Sequence, residues 1–181
     1  MKKWKKVETQ EIQRYGKYYR VETDEVLTPA EKHTTYSVIR LHPHSVIIPL
    51  DPDGKIYLVK QHRYTTDQIT LELPMGNTDG ENPLEAAQRE LEEETGLTSD
   101  RWEQIGRFQE ANGIAEIYGH VFIARDVHPL ENARTDELDQ DLFEIVTHTF
   151  AEIQDMIAAG TIEDASTICA IAQATFTKKL K

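Results

Sequence analysis

Residues 82–96 are the most strongly punctuated segment of the chain. Asn82 is an N-cap residue type, Pro83 suits the first helical position, and Glu85 stands three residues after the cap. Leu84, Ala87 and Leu91 recur at i, i+3 and i+7, so one face is apolar. Gly96 is the residue type that ends such a helix in the left-handed conformation. The spacing predicts a helix with one face against a core.

The segments around it read as strands. Tyr19, Val21 and Thr23 alternate with polar residues. Thr35 to Leu41 and Ser45 to Leu50 are β-branched and apolar, and they are broken at His42-Pro43-His44. Asp51-Pro52-Asp53-Gly54 predicts a hairpin into Lys55 to Val59. Ile69 to Leu73, Glu103 to Phe108, Ile117 to Ala124 and Phe143 to Thr147 are further strands, and the acidic run Glu131 to Asp141 reads as a loop. Two helices close the chain. Phe150, Ile153 and Ile157 mark the first, which ends at Gly160. Ile168, Ile171, Ala172 and Thr175 mark the second, with Lys178, Lys179 and Lys181 expected at its C-terminus, where the helix dipole favours cations. Strands, one central helix, strands again and two helices predict an α/β domain, a mixed sheet between helical layers.

A length of 181 residues supports a sizeable core, and 39% hydrophobic with 29% charged residues is a globular composition. A net charge of −12 argues against holding nucleic acid by phosphate neutralisation. It leaves phosphorylated small molecules open, because a metal ion inverts the local field. The single cysteine, Cys169, lies in an apolar run and forms no intrachain disulfide. The N-terminus is no secretory signal, and no apolar run reaches a membrane span. The expected location is a reducing cytoplasm.

The chemistry concentrates on the central helix. Glu90 and Glu94 are four apart, so they stack on one face with about 5–6 Å between their Cβ atoms, and Glu93 stands beside them. Like charges at this spacing cost about 0.2–0.5 kcal/mol per pair in an isolated helix. Arg89 is the only basic residue between Glu81 and Glu94. A solvated acidic face and a metal site both account for the pattern. Oxygen-only donors suit Mg²⁺, Mn²⁺ or Ca²⁺, and no Cys or His stands nearby at zinc spacing.

Glu81, seven residues, then Arg89-Glu90-Leu91-Glu92-Glu93-Glu94-Thr95-Gly96-Leu97 resembles the Nudix box. At about one in fifteen per position, its six fixed residues coincide by chance about 10⁻⁷ of the time at any start, so the match is specific. The first glycine of the motif falls one residue late, at Gly76, and the loop to Glu81 is one residue short. The resemblance covers roughly residues 15–178. Val59-Lys60-Gln61-His62-Arg63, Leu71-Glu72-Leu73-Pro74-Met75-Gly76 and Gly160 to Thr167 are similar to the subgroup that hydrolyses ADP-ribose and other nucleoside diphosphate sugars. Ala111-Asn112-Gly113 stands where ADP-ribose hydrolases often carry Ser-Pro-Gly, which leaves base and sugar open.

The resemblance implies a Nudix α/β/α sandwich and a homodimer, with residues 1–44 as an N-terminal strand region that contributes to dimer and substrate site. Residues 45–181 would form the hydrolase domain. It implies Mg²⁺, with Mn²⁺ as substitute, held by Glu90 and Glu94, with Glu93 as a further ligand or water holder and the Met75 carbonyl as a backbone donor. Glu81 serves either as ligand or as loop brace, and Arg89 orients the glutamates. Arg63 with Glu72, and Glu116, Tyr18 and Tyr19, are the substrate-side candidates. Glu137, Asp139 and Asp141 are candidates for the general base, with Asp141 best placed by its distance from the closing helix; Glu93 is the further candidate. The leading activity is Mg²⁺-dependent hydrolysis of a nucleoside diphosphate sugar to a nucleoside monophosphate and a sugar phosphate. The alternatives are a dinucleotide polyphosphate or nucleoside triphosphate as substrate, and a non-catalytic nucleotide sensor.

Overall fold

The computed structural model describes residues 1–131 and 143–180. Its contacts divide the chain into two units, residues 1–42 with 109–118 and residues 43–108 with 119–181. The segment 109–118 is grouped with the N-terminal strands although it lies far from them in sequence.

In the first unit, β1 (Lys5–Tyr15), β2 (Tyr19–Leu27) and β3 (His33–Leu41) form an antiparallel meander. A two-residue strand, β10 (Ala115–Glu116), adds parallel to β3, opposite Ile39 and Arg40. Every residue of β1 is exposed, which explains why no apolar periodicity announces it. In β2 the buried positions include Glu22 and Asp24, beside Val26. Those carboxylates are satisfied across the strands. Arg40 donates to Glu22 at 2.7 Å and to Asp24 at 3.2 Å, Arg20 donates to Glu22 at 2.6 Å, and Thr9 donates to Asp24 at 2.5 Å.

The second unit is built on a mixed sheet. Its strands are β4 (His44–Leu50), β5 (Lys55–Arg63), β6 (Gln68–Glu72), β7 (Met75–Asn77), β9 (Arg101–Gln109), β11 (Tyr118–Arg125) and β13 (Phe143–Thr149). The order is β13-β5-β4-β11-β9, with β6 on β5 and β7 on β4. β4 and β11 run parallel. A small pair, β8 (Leu97–Thr98) and β12 (His128–Pro129), lies apart from this sheet. The helices are α1 (Pro83–Thr95), α2 (Phe150–Ala158) and α3 (Ala165–Phe176).

Both faces of the central strands are covered, so these strands read as unbroken apolar runs. Alternation sorts the side chains. Ile47, Phe122 and Ala124 pack with Ala87 and Leu91 of α1. Val46, Ile48, Val121 and Ile123 pack with Ile153 of α2 and Ala170, Ile171 and Ala174 of α3. The result is helix, sheet, helix, the sandwich the element order predicts.

Caps set the helix ends. Asn82 accepts the Leu84 N–H at 2.9 Å, and Gly96 closes α1 at φ 67° with its N–H on the Glu92 carbonyl. Thr149 and Glu152 form a reciprocal capping box on α2. One expectation fails. α3 ends at Phe176, and the chain turns away with Lys178 at φ 57°, so Lys178 and Lys179 lie beyond the helix instead of neutralising its terminus. Lys179 pairs with Glu103 instead.

Candidate active site

The shortened loop before α1 closes by a tight turn. The Glu81 N–H donates to the Thr78 carbonyl at 2.7 Å, across Asp79 and Gly80, both at positive φ. Asp-Gly is a residue pair that tolerates two successive left-handed positions. On the upstream side, β7 is pinned to β4 opposite His44, Ser45 and Val46. The loop therefore returns the chain to α1 with β7 lying along the helix.

That placement sets the carboxylates. The Met75 N–H donates to Glu94 Oε2 at 3.1 Å. The Glu90 carboxyl lies directly over Gly76, in the space a Cβ there would occupy. Arg89 ties the rest together. Its Nη1 donates to Glu90 at 2.7 Å and to Glu93 at 3.0 Å, its Nε to Glu81 at 3.3 Å, and its Nη2 to the Asn77 carbonyl at 3.0 Å. Arg89 thus gathers Glu81, Glu90 and Glu93 and reaches the loop at Asn77, while Glu94 lies on the Met75 amide. The Asn77 contact is not visible in the sequence, because no residue pattern marks a carbonyl.

The two inner carboxylates are electrostatically uncomfortable. Burial pushes the Glu94 carboxyl up to about 8, and the neighbouring charge of Glu90 adds to this. Burial also raises Glu90, against the opposing pull of Arg89. Two half-buried carboxylates side by side are costly beyond what Arg89 offsets at Glu90, and a hard divalent ion is the species that relieves them with oxygen donors. Among the described residues no three His, Cys, Asp or Glu side chains stand together in a group that could hold a metal ion. Two carboxylates suffice for Mg²⁺, which keeps waters and takes substrate phosphates as its remaining ligands. The donor set fits such an ion.

Arg63 faces Glu72, not open solvent alone. Its Nε and Nη2 form a fork on the buried carboxylate at 2.9 and 2.5 Å, and Thr70 Oγ1 adds a third bond at 2.6 Å. Burial alone would raise Glu72, but Arg63 and Thr70 together hold it below the usual carboxylate range. Glu94 and Asp164 act electrostatically on the same guanidinium.

Three substrate-side candidates lie in the other unit. Glu116 is paired with Arg40. Tyr18 is exposed, and Tyr19 stacks on Tyr15 with ring centroids 4.7 Å apart. The base candidates Glu137, Asp139 and Asp141 lie outside the described residues.

Comparison with known proteins matches residues 40–169 to the NUDIX domain. The chain is 34% identical over 159 residues to the ADP-ribose pyrophosphatase of Bacillus subtilis (strain 168), covering 86% of this chain and 84% of that one. It is 31% identical, with the same coverage, to the methanol dehydrogenase activator of Bacillus methanolicus. Against the GDP-mannose pyrophosphatase of Yersinia enterocolitica it is 31% identical, over 65% of this chain and 64% of that one. The crystal structure of an ADP compounds hydrolase superposes with a TM-score of 0.81 over 99% of this chain and 96% of its own. At 21% identity that likeness is one of fold.

Proposed function

The chain belongs to the NUDIX family, and on that premise we propose that it hydrolyses the diphosphate bond of a nucleoside diphosphate sugar of the ADP-ribose kind. The products are a nucleoside monophosphate and a sugar phosphate. The observation that carries this reading is the Glu90–Glu94 pair, two half-buried carboxylates raised by partial burial and packed against the backbone of Met75 and Gly76. Relatives named ADP-ribose pyrophosphatase and GDP-mannose pyrophosphatase support the substrate class.

Glu90 and Glu94 hold Mg²⁺, or Mn²⁺ in its place, with Glu93 and the Met75 carbonyl as further donors. When bound, the cation neutralises the diphosphate and acidifies water for attack on phosphorus. Arg89 fixes the directions of Glu81, Glu90 and Glu93. Arg63, locked in the Glu72 fork, presents its remaining edge to a substrate phosphate or ribose. The general base is a carboxylate of the 137–141 segment, Asp141 first. The N-terminal strands build a homodimer, Tyr18, Tyr19 and Glu116 meet the substrate, and the protein works in the cytoplasm. No described helix is long and apolar enough to cross a membrane.

The test is product identification by mass on ADP-ribose, GDP-mannose, UDP-glucose and a dinucleotide polyphosphate, with Mg²⁺ and with a chelator. Monophosphate and sugar phosphate released from a sugar nucleotide only when metal is present support the reading. Cleavage of the dinucleotide alone overturns it. Tight nucleotide binding without release identifies a sensor.

A further inference from the structure

We infer that Thr167, on the first turn of α3, is a positioning residue for the carboxylate cluster, acting through the backbone of Leu73. This rests on the reading of Glu90 and Glu94 as metal-holding residues.

Leu73 and Pro74 join β6 to β7, outside the ladder of β6, and β7 opens with Met75 and Gly76 paired to Val46 and Ser45 of β4. The run of residues 73–76 is held by α3, β4 and α1 together. The Leu73 N–H donates to Thr167 Oγ1 at 2.9 Å, across 94 residues of sequence. Pro74 has no N–H, and its carbonyl accepts the Ile47 N–H of β4 at 2.9 Å. The Met75 N–H donates to Glu94 at 3.1 Å, and Gly76 lies under Glu90. Thr167 therefore anchors the upstream end of the segment whose downstream end touches both inner carboxylates.

Thr167 is itself fixed. It is fully buried, and its N–H donates to Asp164 Oδ2, the N-cap of α3, at 2.7 Å. Leu73 is also buried, so its amide has no route to water without movement of the chain. Without the hydroxyl, the run must shift to find a partner, and the shift passes to Met75 and Gly76. Outer partners that orient ligands act in this way on metal sites.

Three variants test it, read first by titration with Mn²⁺ alone, following free Mn²⁺ by electron paramagnetic resonance. Thr167→Val keeps shape and removes the acceptor. It should bind Mn²⁺ about 10–100-fold more weakly, whereas Thr167→Ser, which keeps the hydroxyl, should stay within about threefold of wild type. Ile171→Val, a buried change one turn along α3, should lower Tm and leave Mn²⁺ affinity unchanged. In turnover, Thr167→Val should lose kcat with a smaller change in substrate KM. Wild-type Mn²⁺ affinity in a folded Thr167→Val protein overturns the inference. Where that variant does not fold, loss of Mn²⁺ affinity beyond tenfold in Thr167→Ser overturns it equally, and retention supports it. A wild-type chain that binds Mn²⁺ but cleaves no sugar nucleotide defeats the proposed substrate and leaves the Thr167 comparison intact.

Discussion

Gly76 and Glu90 share one volume: the carboxyl of Glu90 lies where a side chain at residue 76 would begin. The obstacle is the far end of a flexible glutamate, so a methyl group at residue 76 displaces the carboxylate and spares the backbone. Gly76→Ala should therefore reduce activity more than stability. The expected loss in kcat is about 10–100-fold, as for other changes that misalign a metal ligand, with Tm shifted by only a few degrees. Paired kinetics and thermal melts check this. A fall in Tm with unchanged kcat would show that Glu90 re-seats itself without consequence.

The raised carboxylates predict a pH-dependent stability. The folded pKa of Glu94 is about 8, above its ordinary 4.5, from burial and then from Glu90. The fold therefore prefers the protonated form. Its contribution is fully present below about pH 4.5 and is lost as pH rises through about 8. Glu90, also raised by burial, acts with the same sign. Chelated protein should melt at progressively lower temperature from pH 5 to 8.5, and the stabilisation added by Mg²⁺ should grow over that window because metal and proton compete. A Mg²⁺ effect on Tm that is flat across this range would contradict the assignment.

Glu94→Gln removes the charge and keeps the shape. Losing one charged ligand should lower kcat by about 10²–10³-fold, with partial recovery in excess Mg²⁺. The same variant, in chelator at pH 8, should melt above wild type, since the charge that desolvation and Glu90 disfavour has gone. The opposed signs on activity and stability are the diagnostic. A variant that loses both would mark Glu94 as structural.

Arg63 and Glu72 form an asymmetric pair, the Glu72 side chain buried and the Arg63 side chain 42% exposed. Arg63→Ala leaves Glu72 with Thr70 alone. Partial screening by solvent keeps the expected destabilisation at about 1–3 kcal/mol. Urea unfolding measures it. If Arg63 also meets substrate, KM rises in Arg63→Ala at temperatures where the protein stays folded. An unchanged KM confines Arg63 to holding Glu72.

The base requires a different signature. Asp141→Asn should lower kcat by about 10²–10⁴-fold while the Mg²⁺ requirement stays as in wild type, and higher pH should recover part of the loss because hydroxide replaces the base. Glu137→Gln and Asp139→Asn are the controls, by pH–rate profile at saturating Mg²⁺. Loss in one of these with full activity in Asp141→Asn moves the base within the segment. Full activity in all three transfers the role to Glu93 or Glu116.

The local features of this protein were written in its sequence. Asn82, Pro83 and Gly96 bound α1 because capping and left-handed geometry depend on the residue itself, and the stacking of Glu90 on Glu94 follows from helical period alone. The unbroken apolar runs of β4 and β11 likewise announce strands covered on both faces. Tertiary structure decided whatever depends on residues distant along the chain. β1 and β10 carry no apolar period, and they exist because β2 and β3 offer them edges. Glu22 and Asp24 are buried because Arg40, on another strand, meets them. The burial that raises Glu94, the fork that lowers Glu72 and the bond from Leu73 to Thr167 all join segments that only the fold brings together. Charge and spacing are properties of the string, whereas desolvation and long-range hydrogen bonding are properties of the packed chain. The glutamates were therefore readable in advance, but their energetic state was not.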